Sequence, residues 1–353
     1  MSQKNVLLLF GGCSPEHEIS KASAAAIISA LNNYTVIPTY ITEAGKWLMY
    51  DGKLDNLYNL NWEKFGTPAI LSPDRVNGGL LRMVGDKVKA IPIDVVLPIF
   101  HGPNGEDGTI QGLCELAGIP YVGCGVMASA VAMDKAVTRL VAKALKIPQT
   151  DYLVFSEYEL VESTSACLTK VSRKLGYPCF VKPSVGGSAI GVSKANNRKE
   201  LEAAICEALK FHDKVIIEKF VKGREIEIGV LGVGMAAKVS VTGEVIASNE
   251  FYDYDAKYTN DTAKIIVPAD VPEDISREIR RQALEIYTAA GCRGLARADF
   301  FLEQDGGIIF NEINTMPGFT DISQYPMLWR ATGMSYSALV DRLIDLALGD
   351  ENE

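Results

Sequence analysis

The stretch LARADFFLEQDGGIIFNEIN, residues 295–314, constrains the fold more than any other part of the chain. Two apolar runs flank Gln304-Asp305-Gly306-Gly307, a composition that closes β-hairpins. Strand side chains alternate faces, so Arg297 and Asp299 share one side of the first strand while Ala296, Ala298 and Phe300 share the other. On the return strand Glu312 and Asn314 likewise share a side. One face of a hairpin apolar enough to be buried therefore carries acids and an amide beside an arginine. Burying such charges is costly unless an ion or a counter-charge meets them. Carboxylate and carboxamide oxygens suit hard cations, and one or two carboxylates plus substrate phosphates commonly hold Mg2+. The same spacing also fits a solvated face with an Arg–Asp ion pair.

Upstream, strands alternate with helices. Residues 6–10 form an apolar run ending in Gly11-Gly12, and 20–32 read as a helix opened by a Ser20 cap. Further strands at 35–41 and 95–100, with a helical 109–116, predict a parallel sheet covered by helices. Residues 129–145 read as one long helix with Lys135 inside it. Strands at 152–155, 179–182 and 215–220, separated by helices at 163–175 and 199–211, make a second α/β unit. From 225 the chain is β-rich, then helical at 274–290, then the hairpin, then a closing helix at 336–348. Single cores stop growing near ~250–300 residues, so 353 residues imply several domains. The expected division is 1–123, 124–221 and 222–353, without repeats or long linkers.

The bulk composition removes several classes of function. A net charge of −9 argues against a nucleic-acid binder, which needs Lys and Arg for phosphate backbones. Seven cysteines without a CxxC pair fit neither a disulfide framework nor a zinc knuckle, so they read as reduced thiols. The apolar run in MSQKNVLLLFGG is too short for a signal peptide, and no run approaches the roughly 20 residues of a membrane span. The expectation is a cytoplasmic protein.

Two further stretches suggest a nucleotide. FVKPSVGGSAIG places Lys182 before a loop with Gly186, Gly187, Ser188 and Gly191; such glycines let backbone N–H groups approach phosphate oxygens. An ordinary hairpin loop is the competing reading. Neither GxxxxGK[ST] nor GxGxxG occurs, which excludes a P-loop and counts against a dinucleotide fold. VIIEKFVKGREIEI offers backbone amides, an apolar wall and, at Glu225, a carboxylate for ribose hydroxyls. Lys135, in MDK, either reaches a phosphate or lies in water.

Taken in order, VKPSVGGSAIG, IIEKFVKGREIEI, RADFFL and NEINTMPGF resemble the ATP-grasp fold. GGCSPEHEIS and FHGPNGEDGTIQG narrow the resemblance to the D-alanine:D-alanine ligase family, over almost the whole chain. The resemblance implies an α/β, three-domain ATP-grasp fold with an N-terminal parallel-sheet domain. It also implies an enzyme that phosphorylates a first D-alanine with ATP and passes the acyl group to the amine of a second, for peptidoglycan precursors. Small molecules would be its partners, and a homodimer its assembly. Asp299, Glu312 and Asn314 would hold Mg2+, with Mn2+ an alternative. ATP would meet Lys135 and Lys182 at its phosphates, Glu218, Lys219, Phe220 and Val221 at adenine, Glu225 at ribose, and also Phe251, Lys257 and Asn311. Glu16, His101 and Ser188 would receive the first amino acid. Arg297 and the Gly318 N–H would stabilise the oxyanion, with Tyr258 in a network with Glu16 and Ser188. Ser323 and Gln324 would line the second-substrate pocket.

Residues 251–261, FYDYDAKYTND, match the family's loop over the active site, and Lys257-Tyr258 implies that the second substrate is an amino acid rather than D-lactate. Two positions depart from the family pattern. Ala189 stands where many members carry a second serine, and Gln324 where D-alanine-specific members have Met or Leu. An amide at 324 could bond a D-serine hydroxyl, which leaves a D-alanine:D-serine ligase as the alternative. A non-catalytic nucleotide-binding module is the alternative of another class.

Overall fold

The run NVLLLFG forms β1 (Asn5–Gly11), whose Val6 to Phe10 are fully buried, as expected of a strand covered on both faces. This computed structural model describes residues 3–54, 61–246 and 264–349. Around β1 lie β2 (Thr35–Ile41), β3 (Trp47–Tyr50), β4 (Gly66–Ser72), β5 (Gly79–Val84), β6 (Lys87–Ile91) and β7 (Val95–Ile99), ordered β6-β5-β4-β3-β2-β1-β7. The expected parallel sheet holds only for half of it. β1 pairs in parallel with β2 and β7, whereas β2 through β6 run as an antiparallel meander. Short connections such as Gly85-Asp86 between β5 and β6 permit only antiparallel pairing, because a parallel crossover needs a dozen or more residues. At the end of β1, Gly11 has φ +87, and a Cβ there would lie 2.2 Å from the Ile41 carbonyl oxygen.

Helix α1 spans His17–Ala30, three residues earlier than expected, and Ser20 is not its cap. The Ser20 hydroxyl instead accepts the Gly11 N–H at 2.8 Å and donates to the Ile99 carbonyl, tying β1 to β7 beneath the glycine turn. After α2 (Thr109–Ala117), the expected single helix at 129–145 is two, α3 (Val126–Met133) and α4 (Lys135–Ala144). Asp134 breaks it: its backbone is extended and its carboxylate accepts the Ala136 and Val137 N–H groups as the cap of α4. Lys135 is therefore the first residue of a helix rather than an interior one.

The second sheet contains β8 (Tyr152–Ser156), β9 (Cys179–Pro183), β10 (Ser193–Ala195) and β11 (Lys214–Lys219), ordered β10-β9-β11-β8 and antiparallel throughout. The third contains β12 (Gly223–Val233), β13 (Lys238–Ile246), β14 (Lys264–Ile266), β15 (Arg293–Glu303) and β16 (Ile308–Asn314), ordered β14-β13-β12-β15-β16. One face of this sheet buries Ile226, Ile228, Ala298 and Phe300 against Ile279, Ala283 and Ile286 of the helix Glu273–Ala289. The opposite face is left for polar residues. The last helix, Tyr336–Leu348, returns to the first sheet, where Leu339, Val340, Leu343 and Ile344 share a core with Val6, Leu8, Leu97 and Ile99. Met316 and Phe319 join that core, which carries the loop after β16 to the edge of β7.

Candidate active site

The hairpin face forms as the alternation requires. Arg297 lies opposite Asn314, and Asp299 opposite Glu312. Arg297 grips Asp299 through two parallel bonds, Nε to Oδ1 at 2.8 Å and Nη2 to Oδ2 at 2.7 Å. Glu312 faces Lys135 Nζ at 3.3 Å, and Asn314 Oδ1 accepts the Met316 N–H at 3.0 Å, which turns the chain out of β16. The solvated-face reading is overturned, since Asp299 is 2% exposed and Arg297 9%. A third strand adds a residue the hairpin alone could not reveal. Glu227 of β12 lies opposite Asp299, buried, with Oε1 at 3.4 Å from Arg297 Nη2.

Between the second and third sheets opens a cleft of about 620 Å³. Phe180, Ile190, Val192, Val245 and Phe301 give it apolar walls. Lys135, Lys182, Gly186, Ser188, Asn311 and Glu312 line it, as do Glu218, Lys219, Phe220, Val221 and Glu225. Lys135 Nζ also donates to the Gly186 carbonyl at 2.7 Å, and its N–H to the Ser184 carbonyl at 2.8 Å. Asp134 accepts the Ser184 hydroxyl at 2.6 Å and pairs with Lys214 of β11, so helix start and glycine loop are fixed to each other.

Glu218 is spoken for inside the protein. Lys182 Nζ meets its Oε2 at 2.7 Å, and Arg139 of α4 donates Nε to its Oε1 at 3.0 Å. Burial alone would push this carboxyl up, but Arg139 and Lys182 outweigh it and hold it at about 2. Arg139, 2% exposed, escaped the sequence reading because an arginine inside a helical run looks like a solvated one. Its Nη1 donates to the Phe310 carbonyl at 2.5 Å, which anchors α4 to the hairpin.

The glycine loop has a second side. Ser188 and Ala189 adopt left-handed φ of 51 and 56, a strained pair for residues with a Cβ, and the Ser188 hydroxyl donates to Glu16 Oε1. Glu16 occupies the cap position of α1, yet its side chain does not cap the helix. A Cβ on Gly102 would lie 2.6 Å from Glu16 Oε2, so only glycine admits this approach, at φ +72. His101 is buried next to it, with Nδ1 at 3.0 Å from the Met316 carbonyl and 3.8 Å from Glu106 Oε1. Glu106, within FHGPNGEDG, was also missed; burial and the Glu16 charge push its carboxyl up to about 7 against the pull of His101.

Past β16 the chain turns through Gly318 to Ser323, the cap residue of the helix Gln324–Ala331. Ser323 Oγ accepts the Thr320 N–H at 3.0 Å and lies within 3.1 Å of where a Gly318 Cβ would sit. Arg297 Nη1 reaches Gln324 Oε1 at 3.2 Å, which joins this turn to the hairpin face. Phe251, Lys257 and Tyr258 lie outside the described residues.

Two family models match this chain, "D-ala D-ala ligase N-terminus" over residues 5–124 and "D-ala D-ala ligase C-terminus" over 141–345. The chain belongs to the D-alanine–D-alanine ligase family. It is 47% identical to the D-alanine–D-alanine ligase of Acetivibrio thermocellus, over 99% of this chain and 97% of that protein. Against the D-alanine–D-alanine ligase of Caldicellulosiruptor bescii the identity is 45%, over 99% and 96%. The VanG D-Ala:D-Ser ligase from Enterococcus faecalis superposes with a TM-score of 0.89 at 36% identity, covering 98% of this chain and all of that one. The D-alanine–D-alanine ligase from Coxiella burnetii gives 0.84 at 31%, covering 99% and 95%. The protein is thus a ligase with the ATP-grasp fold, in a family that uses ATP and small-molecule substrates. A non-catalytic module is set aside. Among the described residues, no helix of this D-alanine–D-alanine ligase family member is long and apolar enough to cross a membrane.

Proposed function

We propose that the protein joins two D-alanines into D-alanyl-D-alanine at the expense of ATP, through a D-alanyl phosphate. One observation carries this reading: the loop 186–189 lines the cleft while its Ser188 holds Glu16, so one loop separates the phosphate end from the first amino acid by a single residue's reach. The carboxylate of the first D-alanine attacks the terminal phosphorus and ADP leaves. The amine of the second D-alanine then attacks the acyl carbon, and the tetrahedral oxyanion collapses to the dipeptide and inorganic phosphate.

In this reading Glu16, with Ser188 and His101, receives the ammonium of the first D-alanine. Lys135 and Lys182 meet the ATP phosphates, and Glu218 acts by holding Lys182. Phe220 and Val221 flank adenine beside Lys219, Glu225 meets the ribose, and Asn311 borders the phosphates. Arg297 and the Gly318 N–H face the developing oxyanion. Such a centre works by placement and charge neutralisation. No group of three His, Cys, Asp or Glu side chains among the described residues holds a metal unaided. Two carboxylates with an amide and phosphate oxygens do fit Mg2+ or Mn2+. Asp299, Glu312 and Asn314 would hold such an ion, which when bound would neutralise phosphate charge. A homodimer working in the cytoplasm completes the proposal.

D-serine as second substrate is favoured by a separate observation. Gln324 spends Oε1 on Arg297, and its buried Nε2 has no hydrogen-bond partner among the described residues, a donor suited to a hydroxyl. The deciding experiment follows phosphate release from ATP and Mg2+ with D-alanine alone and with D-alanine plus D-serine, identifying dipeptides by mass. Release with D-alanine alone, giving D-Ala-D-Ala, is the expected result. A strict need for D-serine, with the mixed dipeptide as product, would move the protein to the alternative. Gln324→Met should suppress any use of D-serine, and an unchanged preference would clear Gln324 of that role.

A further inference from the structure

We infer that Glu227 is a positioning residue that retains the Arg297 guanidinium when a divalent cation draws on Asp299. The inference rests on the metal reading above and concerns how one arginine serves two demands. As the chain stands, Arg297 commits Nε and Nη2 to the two oxygens of Asp299 and Nη1 to Gln324 Oε1. Were Asp299 to hold a cation, its oxygens would bind the Arg297 guanidinium less strongly, and the pair that now fixes Arg297 would weaken where the proposed oxyanion forms.

A substitute has to be anionic, buried and already within reach of the fork. Glu227 meets all three conditions. The register of β12 on β15 sets it directly opposite Asp299, and Oε1 stands 3.4 Å from Nη2, just beyond hydrogen-bond length and close enough to close by a small rotation. Gly229, opposite Arg297 itself, offers no side-chain acceptor, and the space a Cβ would take there is filled by the Trp329 and Tyr325 rings. On that strand the acceptor for the guanidinium is Glu227.

The burial of Glu227 argues the same way. It is 2% exposed between Ile226 and Ile228, both fully buried on the other face of the same strand. A buried charge in the middle of a sheet is a poor source of stability, and an apolar residue of similar volume often serves the fold as well. Glu227 reaches the candidate ligand Asp299 through Arg297, and losing partners in the layer behind metal ligands typically costs about 10–100-fold in metal affinity or activity.

The test is Mn2+ affinity, read by electron paramagnetic resonance in the presence of a non-hydrolysable ATP analogue, so no turnover is required. Glu227→Gln should lower affinity about tenfold. Glu227→Asp keeps the charge and shortens the reach, and it should lose affinity too; an effect of charge alone would leave it like the wild type. In an Arg297→Met background Glu227→Gln should cause no further loss. Wild-type affinity in Glu227→Asp, or the same loss from Glu227→Gln in both backgrounds, overturns the inference. Failure of the wild type to bind Mn2+ would remove the metal reading and take the inference with it.

Discussion

Glu218 and Glu106 are the same residue type, both buried, one lining the cleft and one beside His101, and they carry opposite charge habits. At the cleft Arg139 and Lys182 flank Glu218 and hold it ionised, down to about 2. Beside His101, Glu106 has an imidazole and the Gly102 N–H to set against its burial and the neighbouring Glu16 charge, and it rises to about 7. Burial alone does not decide the state of an acid; the cations that accompany it do. At the cleft, then, a permanent charge fixes Lys182, the side chain proposed to meet a phosphate. Beside His101, burial and the Glu16 charge raise the Glu106 carboxyl next to the carboxylate proposed to receive an ammonium.

Removing the larger cation breaks the contrast most directly. Arg139→Met leaves Glu218 with Lys182 alone and cuts the tie from α4 to the Phe310 carbonyl. Breaking a buried pair from one side typically costs about 3–5 kcal/mol, so chemical denaturation at neutral pH should reveal a loss of that order. The sign with pH follows from the lowered carboxyl. Stability from Glu218 is full above its ordinary value of 4.5 and is lost as pH falls toward 2. In the variant that acid-side loss should shrink. Equal stability and an unchanged acid limb would mean that Lys182 holds Glu218 without help.

Much of the site was legible in the sequence, and its omissions have a common cause. Period-two alternation in 295–314 placed Arg297, Asp299, Glu312 and Asn314 on one face, because register within a hairpin is a local property. The glycine loop and its lysine were legible for the same reason. Glu227 and Arg139 were not, because each meets its partners only through pairing of segments distant in sequence: β12 on β15, and α4 on β11 and β16. Asp134 shows the limit for helices. Its neighbours favour a continuous helix, and the break comes from a cap that also accepts Ser184 and pairs with Lys214. The missed meander β3–β6 ends in β6, KVKAI, which is exposed along most of its length. Its hydrophobic signal is too weak to read as a sheet edge.

Glu106 provides the finer test of the comparison. Its carboxyl is raised from 4.5 to about 7, so between those values the folded protein holds a proton that the unfolded chain has released. Stability from this group is complete below pH 4.5 and is lost as pH rises through 7, opposite in sign to Glu218. His101, also raised by its acidic neighbours, loses its share in the same direction as it deprotonates. The groups facing Glu106 are His101, Glu16 and the Gly102 N–H, and the Met316 carbonyl faces His101 from the loop after β16. Glu106→Gln is permanently neutral and near in shape, so it should flatten the decline in unfolding free energy between pH 5 and pH 8, by about 3 kcal/mol at most. A wild-type curve already flat over that range would mean that Glu106 is ionised in the folded protein. The two acids would then differ in their partners and not in their charge.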